Sequence, residues 1–576
     1  MTQSDSDRLF TIIFVFVAVI FALIFKWVRM NDSDKSDIAK GTGGRRELRL
    51  ERFLIILTAV ALRVAFAGAT KGFQVDVNCF KTWASWAAED FPGLYSRGAD
   101  AFLDYPPGYM YILFFIGKIR ELFSIPYESA VFTFLIKLPA IAADIISGIL
   151  LYKIARNNGF SERKRLFIMS VYLFNPAVYF VSTIWGQIDS ILALLAMVAA
   201  IYLANGKYEL SAVFFALGVL VKPQGIIFLP ALFFECLIAL LANWRIINRL
   251  LVAVACFVGT FALAIIPFSF GKHPLWIVDL YSNTLESYSY ASMNAFNFHA
   301  LLGNNMSSDS TLLLNLKTST WGYIFIVIFT ILSGVVILQY RRFKDRRREV
   351  MQEAPREEKQ EARQATREAK HEEARQATQE AKHEEARQTT REAKHHEARQ
   401  TQYERAVMYR ASKKVMRQTK RMKAVRQARW KAVQRSKWLE FKRRAGDLIR
   451  FDNITNPMPL LTSALLIMGV TTFAHKMHER YFFPAMLLLL AVYSIGGGGF
   501  FGVAFVLTTI AGYFNVLIIF SIYHTNSFEN FGNSPLVYVL SALTVLTTVL
   551  TWLFVLKSRG NIPLHNETER MIDDER

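Results

Sequence analysis

The sequence predicts an all-α, polytopic membrane protein with about 13 spanning helices. Its 576 residues are 53% hydrophobic and 14% aromatic, which is too apolar for a single soluble domain. Apolar runs long enough to cross a bilayer recur along most of the chain. The positive charge is concentrated in one segment and is not spread over the chain, so the composition does not indicate a soluble nucleic-acid-binding protein.

Each predicted span is a mostly apolar run, because a chain in hydrocarbon must pair its backbone groups within a helix. These runs lie near 10–28, 53–69, 131–152, 166–184, 186–204, 208–222, 225–242, 249–269, 320–340, 457–474, 481–496, 499–522 and 535–556. A fourteenth run, 108–123, is shorter and contains Lys118 and Arg120.

Basic loops decide the orientation, because Lys and Arg are enriched on the cytoplasmic side. The segment after the first span is rich in both and belongs inside. If 108–123 spanned the membrane, the basic loop that follows the next span would fall outside. We therefore predict that 108–123 is a short non-spanning helix within an outer loop, 70–130, and that 271–319 forms a second long outer loop.

Four parts follow from this organisation. Residues 1–50 hold an extra N-terminal span with a basic cytoplasmic loop, and 51–340 form the transmembrane core. Residues 341–450 are a basic cytoplasmic insert, and 451–576 hold the C-terminal spans and tail. The insert has 34 Lys and Arg against 17 Asp and Glu, so its charge of +17 accounts for most of the net +20 of the chain.

The insert repeats a 12-residue unit that begins EARQ, at Glu361, Glu373, Glu385 and Glu397. Twelve residues leave about 120° of helical rotation per repeat, so no apolar stripe persists and a charged, solvated helix is expected. Its continuation interleaves Val, Met and Trp with cations, which suits anionic lipid headgroups. A solvated linker is an equal alternative, and nucleic-acid binding is not expected.

Cysteine and histidine spacing gives little indication of a metal site. The three cysteines, Cys79, Cys236 and Cys256, have no ligand spacing, so they predict neither a disulfide framework nor a thiolate zinc site. His475 and His478 are three residues apart and could share a helix face, but no third ligand is evident nearby. We therefore predict no metal.

The first outer loop carries the leading catalytic candidate. Asp76 directly follows a span and lies seven residues before Trp83. A carboxylate beside an indole suits deprotonation of a hydroxyl and stacking on a sugar face. The alternatives are a helix cap for Asp76 and an interfacial aromatic belt for the tryptophans. Asp104, before two prolines, has catalysis and capping as competing interpretations.

Two turns between spans carry further polar residues. WGQIDS contributes Trp185, Gln187 and Asp189, with a tight turn capped by Asp189 as the alternative. VKPQG contributes Lys222 and Gln224 at the end of a span. The lysine would bind the phosphate of a lipid donor or extend to any headgroup.

The remaining candidates lie in two later segments. Asn294 and Asn297 belong to an outer loop dense in Tyr, Asn and Phe, a weak indication of carbohydrate binding. In HKMHERYF we expect His478 and Arg480 to bind phosphate, with Glu479 orienting one of them.

Two intramembrane charges form a separate hypothesis. Arg63 in the second predicted span and Asp144 in the third are expensive in hydrocarbon and therefore paired or functional. Their positions along the spans differ by about 10 Å in depth, so a direct pair requires an extended arginine.

The order of these motifs resembles bacterial membrane glycosyltransferases of the GT-C fold, in the mannosyltransferase-like group related to GPI-anchor mannosyltransferases. The motifs, in order, are VD(x)6W, LDYPPGY, KLPAIAADI, LFNPA, WGQIDS, LVKPQ, NAFNF and HERYFFPA. The resemblance covers roughly residues 50–340 and 455–525. It does not cover the first span or the insert.

The resemblance implies a polyprenyl-phosphate sugar as donor and inverting transfer of a mannose-like hexose to an acceptor glycan or glycolipid. Transfer would occur on the outer face of the plasma membrane, without nucleotide, obligatory metal or other cofactor. Asp76 matches the acidic residue that acts as general base, and Lys222, His478 and Arg480 fall where such enzymes contact the donor phosphate. Val77 follows Asp76 where relatives often have a second polar residue, so Asp104 or Asp189 can share its role.

Two other functions remain open. A transporter or flippase of lipid-linked glycans would place charges and broken helices at the membrane midplane and show internal repeats. Only Arg63 and Asp144 favour that interpretation. A glycan polymerase or ligase would share much of the outer-face chemistry.

Overall fold

The structure, a computed structural model, describes residues 42–97, 101–353, 454, 456–496, 498–525 and 534–562. The chain divides into two compact units. The first comprises Met1–Lys344 and Phe451–Arg576, and the second is Asp345–Arg450. The predicted first span, the EARQ repeats and the basic stretch after them lie outside the described residues. The four predicted parts of the chain stay predictions.

The described chain is almost entirely helical. The helices before residue 300 are α1 (Thr42–Ala69), α2 (Gln74–Glu89), α3 (Pro107–Leu122), α4 (Ala130–Asn157), α5 (Glu162–Leu173), α6 (Pro176–Tyr179), α7 (Asp189–Ala204), α8 (Tyr208–Val221), α9 (Leu229–Ala242), α10 (Ile247–Ile265) and α11 (Trp276–Glu286). A π-helical turn, Phe180–Trp185, continues α6. Short 3₁₀ turns occupy Leu94–Ser96, Pro223–Phe228, Trp244–Ile246 and Ile266–Phe268.

The second half has the same character. Its elements are α12 (Phe298–Leu301), β1 (Leu312–Leu313), β2 (Leu316–Lys317), α13 (Thr318–Glu353), α14 (Met458–Phe473), α15 (Phe483–Ser494), α16 (Gly498–Thr525) and α17 (Pro535–Ser558). The two strands form one antiparallel hairpin, in which Leu312 pairs with Lys317.

Among the described residues, seven helices are long and apolar enough to cross a membrane. An eighth is formed if α5 and the α6 segment, bent by 44°, make one span. Four shorter apolar helices, α7, α8, α14 and α15, coincide with the other predicted runs. The prediction of an all-α polytopic membrane protein is confirmed.

The short helices are the interior of the bundle. Every residue of α14 is buried, and so is all of α15 except Tyr493. At 1.5 Å per residue, the 12 residues of α15 span about 18 Å, less than the roughly 30 Å of hydrocarbon. A helix enclosed by other helices does not have to present apolar side chains to lipid over the full thickness. The central helix α7 contacts α4, α8, α14 and α15.

The run 108–123 forms α3, which has 16 residues and packs against α2. Its buried face includes Tyr109, Met110 and Leu113, whereas Phe115 and Leu122 are exposed. With Phe80 and Trp83 of α2, this face forms an apolar cluster separate from the main core of the bundle. The placement of α3 on the outer surface of the membrane stays a prediction.

The two intramembrane charges contact each other. Arg63 Nη2 lies 3.7 Å from Asp144 Oδ2, and both side chains are fully buried. The hydroxyl of Tyr172 donates to Asp144 Oδ1 at 3.5 Å. The 10 Å depth difference is overcome because the arginine side chain reaches along the helix and α1 packs directly on α4. Partial neutralisation makes these charges tolerable in the bundle.

Candidate active site

Charged side chains from four separate segments meet at one end of the bundle. Lys222 Nζ donates to Asp189 Oδ1 at 2.7 Å. Arg480 Nε lies 3.8 Å from Asp189 Oδ2, and Arg480 Nη2 lies 3.9 Å from Asp76 Oδ2. The structure thus brings Asp76, Asp189, Lys222 and Arg480 into one contact group, which we call the charged cluster.

The start of α2 fixes Asp76. The N-cap residue is Phe73, whose backbone N–H donates to Trp185 O at 2.9 Å and whose ring stacks on Trp185 with centroids 4.4 Å apart. Trp185 Nε1 in turn donates to Asp76 Oδ2 at 2.7 Å. Asp76 therefore lies in the first helical turn, where the helix dipole favours a negative charge, and is not the cap. Its side chain is partly exposed, at 19%.

Two glycines allow this close approach. Gly72 has φ +80°, and a Cβ atom there would lie 2.7 Å from Trp185 O. Gly186 ends the π-helical turn with φ +92°. Both φ angles lie in the left-handed region that favours glycine. The contact between the start of α2 and the WGQ turn depends on these two positions.

Asp189 is the first residue of α7, and Ile188 is the N-cap residue, so the predicted capping role of Asp189 is not what the structure has. Asp189 and Lys222 are both about 1% exposed. Burial lowers the pKa of the Lys222 ammonium, and the attraction of Asp189 offsets part of this effect. The lysine is therefore held by a carboxylate and does not extend toward solvent.

Arg480 is the centre of the cluster. Its Nη1 also donates to Glu479 Oε1, and its guanidinium lies 5.7 Å from the centre of the Trp185 ring. Burial alone would lower the pKa of Arg480, but Asp76, Glu479 and Asp189 raise it well above its ordinary value. A planar group with five N–H donors suits this position between three carboxylates.

His478 and Glu479 are placed by the contact between the HKMHERYF segment and the loop that precedes α13. His478 forms isolated bridges with Met293 and Asn294, and its ring packs edge-on against Tyr288 at 5.1 Å. Its Nδ1 lies 3.8 Å from Glu479 Oε2. Burial would raise the pKa of Glu479, but Arg480 and His478 outweigh it and lower the pKa to about 2. Glu479 is therefore ionised at neutral pH.

Asp104 lies beside the charged cluster and makes no ion pair with it. The hydroxyl of Tyr288 donates to Asp104 Oδ2 at 2.7 Å, and Pro106, not Asp104, is the N-cap residue of α3. Burial raises the pKa of Asp104, and the hydrogen bond from Tyr288 offsets part of the rise. The pKa of this carboxyl is thus shifted upward, toward neutral pH.

The two tryptophans predicted to bind substrate, Trp83 and Trp185, are buried. Trp83 is 2% exposed, its Nε1 donates to Phe102 O at 2.8 Å, and its ring packs on Tyr105 and Phe80. Trp185 is 1% exposed, between Phe73 and the cluster. In this structure Trp83 stabilises the loop core, and Trp185 orients Asp76.

The predicted amides have separate partners around the charged cluster, and one of them, Asn297, lines a small cavity beside it. Gln187 accepts a hydrogen bond from the Tyr105 hydroxyl at 3.3 Å, and Gln224 contacts Tyr481. Asn294 has φ +58° and accepts from Asn515 Nδ2 through its carbonyl. Asn297 is the N-cap residue of α12 and lines the cavity.

The two histidines of HKMHERYF face different neighbours. The His475 ring packs on Tyr323 with centroids 4.8 Å apart, whereas His478 faces Tyr288 and Glu479. Within the described ranges, no three His, Cys, Asp or Glu side chains are grouped as metal ligands would be.

Several residues of the site had not been predicted. Tyr288 binds Asp104, and Asn515 joins α16 to the loop through Phe296 N and Asn294 O. Asn515 carried a usable signal, because an amide within a spanning helix is costly unless it has partners. Tyr288 carried none, since it lies in a run of similar tyrosines and serines.

Comparison with known proteins covers part of these motifs. Glycosyltransferase family 87 matches residues 102–354. The chain is related to membrane glycosyltransferases. The matched part contains Asp104, Asp189 and Lys222. It does not include Asp76 or the HERYF segment.

GPI mannosyltransferase 1 of Candida albicans is 31% identical over 100 residues, which are 17% of this chain. The chain spans about a quarter of the length of this curated relative, 25%. The two matches confirm the resemblance to membrane glycosyltransferases related to GPI mannosyltransferases.

Proposed function

We propose that the protein is an inverting hexosyltransferase that moves a mannose-like sugar from a polyprenyl phosphate to an acceptor glycan or glycolipid. The observation that carries the proposal is the contact of Arg480 with Asp76, Asp189 and Glu479 at one end of a membrane bundle. This contact places a partly exposed carboxylate, Asp76, beside a cation, Arg480, that is suited to binding phosphate. The similarity to glycosyltransferase family 87 and to a protein named GPI mannosyltransferase 1 supports the sugar chemistry.

In this mechanism Asp76 takes the proton of an acceptor hydroxyl as its oxygen attacks the anomeric carbon. The bond from that carbon to the phosphate oxygen breaks, and polyprenyl phosphate leaves with the bonding electron pair. Trp185 holds Asp76 Oδ2 by its indole N–H, so the other carboxylate oxygen is available to the acceptor. Asp104 and Asp189 remain candidates to share the work of the base.

Arg480 and His478 are the groups that we assign to the leaving phosphate. Their side chains are 10% and 12% exposed, whereas Lys222 is held inside by Asp189. Arg480 can exchange a carboxylate for a phosphate oxygen because its guanidinium has five donors. Lys222 acts indirectly, because its charge neutralises Asp189. Stabilisation of the developing phosphate charge is the larger share of the expected rate enhancement.

The orientation belongs to the same proposal. The cluster faces the outside of the plasma membrane, and the basic insert lies on the cytoplasmic side against anionic headgroups. Polyprenyl-phosphate sugars suit such a site because the donor reaches it by diffusion within the bilayer, and no soluble nucleotide sugar is required.

The test is donor choice by the purified protein in lipid nanodiscs. Radiolabelled polyprenyl-phosphate mannose and GDP-mannose are supplied separately, with the lipid extract of a deletion strain as the acceptor pool. We expect labelled product from the polyprenyl donor alone. Transfer from GDP-mannose, or translocation of the lipid-linked sugar without transfer, would contradict the proposal.

A further inference from the structure

A short hairpin with an apolar tip precedes the spanning helix α13. Its strands, β1 and β2, pair Leu313 with Leu316. Leu314 and Asn315 form the two-residue turn between them. Leu312, Leu314 and Leu316 are 67%, 80% and 40% exposed. Exposed leucines grouped in this way are unfavourable in water, because each gains free energy when its side chain is removed from water.

The turn holds a leucine in a backbone conformation that leucine avoids. Leu314 has φ +50° and Asn315 has φ +64°. A type I′ turn requires positive φ at both central positions, and Asn, Asp or Gly is usual there. A bulky side chain in this region crowds its own backbone. Because Leu314 is so exposed, packing within the described part of the chain offsets little of this strain. The leucine therefore indicates an apolar environment beyond these residues.

The position of α13 sets the depth of the hairpin in the membrane. Residues 318–340 contain no charged side chain, and Lys317 and Arg341 bound this run. At 1.5 Å per residue the run extends about 35 Å, close to the roughly 30 Å of hydrocarbon. Lys317 is exposed and therefore lies at the level of the headgroups, where its ammonium suits lipid phosphate.

The hairpin lies against the first turn of α13. Trp321 Nε1 donates to Leu313 O at 2.8 Å, and Thr318 N donates to Thr311 O at 2.9 Å. Ile328, seven residues after Trp321 and hence on the same side of the helix, is 41% exposed. The leucines thus continue the apolar surface that α13 presents to lipid. A tryptophan at this end of a span is typical of the membrane interface.

We propose that the hairpin inserts the Leu314 side chain into the edge of the hydrocarbon around α13, while its backbone and Lys317 stay among the headgroups. The backbone stays there because unpaired strand edges are not tolerated in hydrocarbon. Burial of Leu314 in lipid offsets the strain of its turn. Lipid is favoured over a partner protein because the leucines adjoin both a lipid-facing helix surface and a cation at headgroup level. The proposal requires that α13 spans the membrane, and it depends neither on the proposed function nor on the orientation of the chain.

Insertion fixes the height of the neighbouring loop. Asp309 O, shortly before β1, accepts from Ser319 N at 2.9 Å and from Thr318 Oγ1 at 2.8 Å. The carboxylate of Asp309 lies 3.7 Å from Lys476 Nζ of the HKMHERYF segment. Asp309 thus joins the hairpin, the start of α13 and HKMHERYF. A lipid anchor at Leu314 holds this segment at the membrane surface.

Nitroxide labels test where the tip of the hairpin lies. Leu314→Cys and Ser310→Cys are made in the full chain with Cys79, Cys236 and Cys256 replaced by Ser, and each variant is spin-labelled and reconstituted in nanodiscs. Ser310 is the matched control, because it is exposed in the same loop but precedes the leucines. The measurement is power-saturation EPR with oxygen, which concentrates in hydrocarbon, and with a soluble nickel chelate, which stays in water.

We expect the label at Leu314→Cys to be relaxed more strongly by oxygen than by the nickel chelate, and the label at Ser310→Cys to show the reverse. The ratio of oxygen to nickel accessibility should be severalfold higher at Leu314 than at Ser310. Equal ratios would place the tip in water, and a Leu314 label shielded from both reagents would place it against protein. Either result overturns the proposal. Unfolding midpoints equal to that of the cysteine-replaced parent confirm that both variants are folded.

Discussion

Arg480 is the residue on which the geometry of the cluster depends most. It contacts three carboxylates from three segments, and lysine cannot reproduce this because an ammonium is a single point charge. We predict that Arg480→Lys lowers the transfer rate at saturating donor by about ten- to a hundredfold. Arg249→Lys, at an exposed pair with Glu209, is the control and should leave the rate unchanged. A wild-type rate in Arg480→Lys would exclude the assigned role.

Lys222 and Asp189 are predicted to be coupled in stability. Lys222→Met removes the closer of the two cations that neutralise the buried Asp189, so it should cost about 3–5 kcal/mol. The double variant with Asp189→Asn should recover most of that loss and yet remain inactive. Lys118→Met, at an exposed pair with Glu121, should cost less than about 1 kcal/mol. Denaturant unfolding measures each step, and additive effects would argue against coupling.

At the scale of elements, the contact between the HKMHERYF segment and the loop before α13 places His478. Lys476 Nζ donates to Leu285 O at 2.8 Å and lies 3.7 Å from Asp309, and the Lys476 N–H donates to Tyr290 O at 3.0 Å. Met293 N donates to Met477 O at 2.9 Å. Lys476, to which the sequence interpretation gave no role, and Met477 therefore fix the HKMHERYF segment to the loop before α13.

Burial of His475 against Tyr323 of α13 should make the stability of the fold acid-sensitive. Burial and the charge of Lys476 lower the pKa of His475 from 6.5 to about 4. Between these two pH values the unfolded chain binds a proton at His475 and the folded chain does not. The contribution of neutral His475 to the free energy of unfolding is fully present above pH 6.5. It is lost as the pH falls toward 4, by up to about 3 kcal/mol. His475→Gln should flatten the dependence of the unfolding midpoint on pH over this interval. An unchanged slope would show that His475 is not buried as a neutral ring.

Sequence reasoning found the apolar helices because hydropathy reports burial in lipid or protein directly. It missed the π-helical turn Phe180–Trp185 and the 44° bend before it, because mean hydropathy treats the run as one span although Asn175 and Pro176 interrupt it. It also assigned Trp83, which is buried, to sugar binding. A tryptophan near a carboxylate gives the same local sequence pattern in a protein core and in a ligand-binding site. Ion pairs such as Arg63 with Asp144 depend on which helices pack together. Hydropathy carries no information about helix packing.

At the scale of the whole molecule, orientation is the prediction with the widest consequences. Ser310→Cys lies in the loop before α13 and Asn243→Cys between α9 and α10, and both positions are exposed. In a background with Cys79, Cys236 and Cys256 replaced by Ser, an impermeant maleimide should label Ser310→Cys in intact cells. It should label Asn243→Cys only after permeabilisation. The reverse pattern would place the charged cluster on the cytoplasmic side.

The most direct test of the central claim is transfer from polyprenyl-phosphate mannose by Asp76→Asn, which keeps the side-chain shape but cannot accept a proton. Asp90→Asn is the matched control, because Asp90 is exposed at the end of the same helix, where it accepts from Gly93 N. We predict that Asp76→Asn loses about 10²- to 10⁴-fold in rate yet still binds the donor, and that Asp90→Asn is unaffected. Full activity of Asp76→Asn would contradict the account.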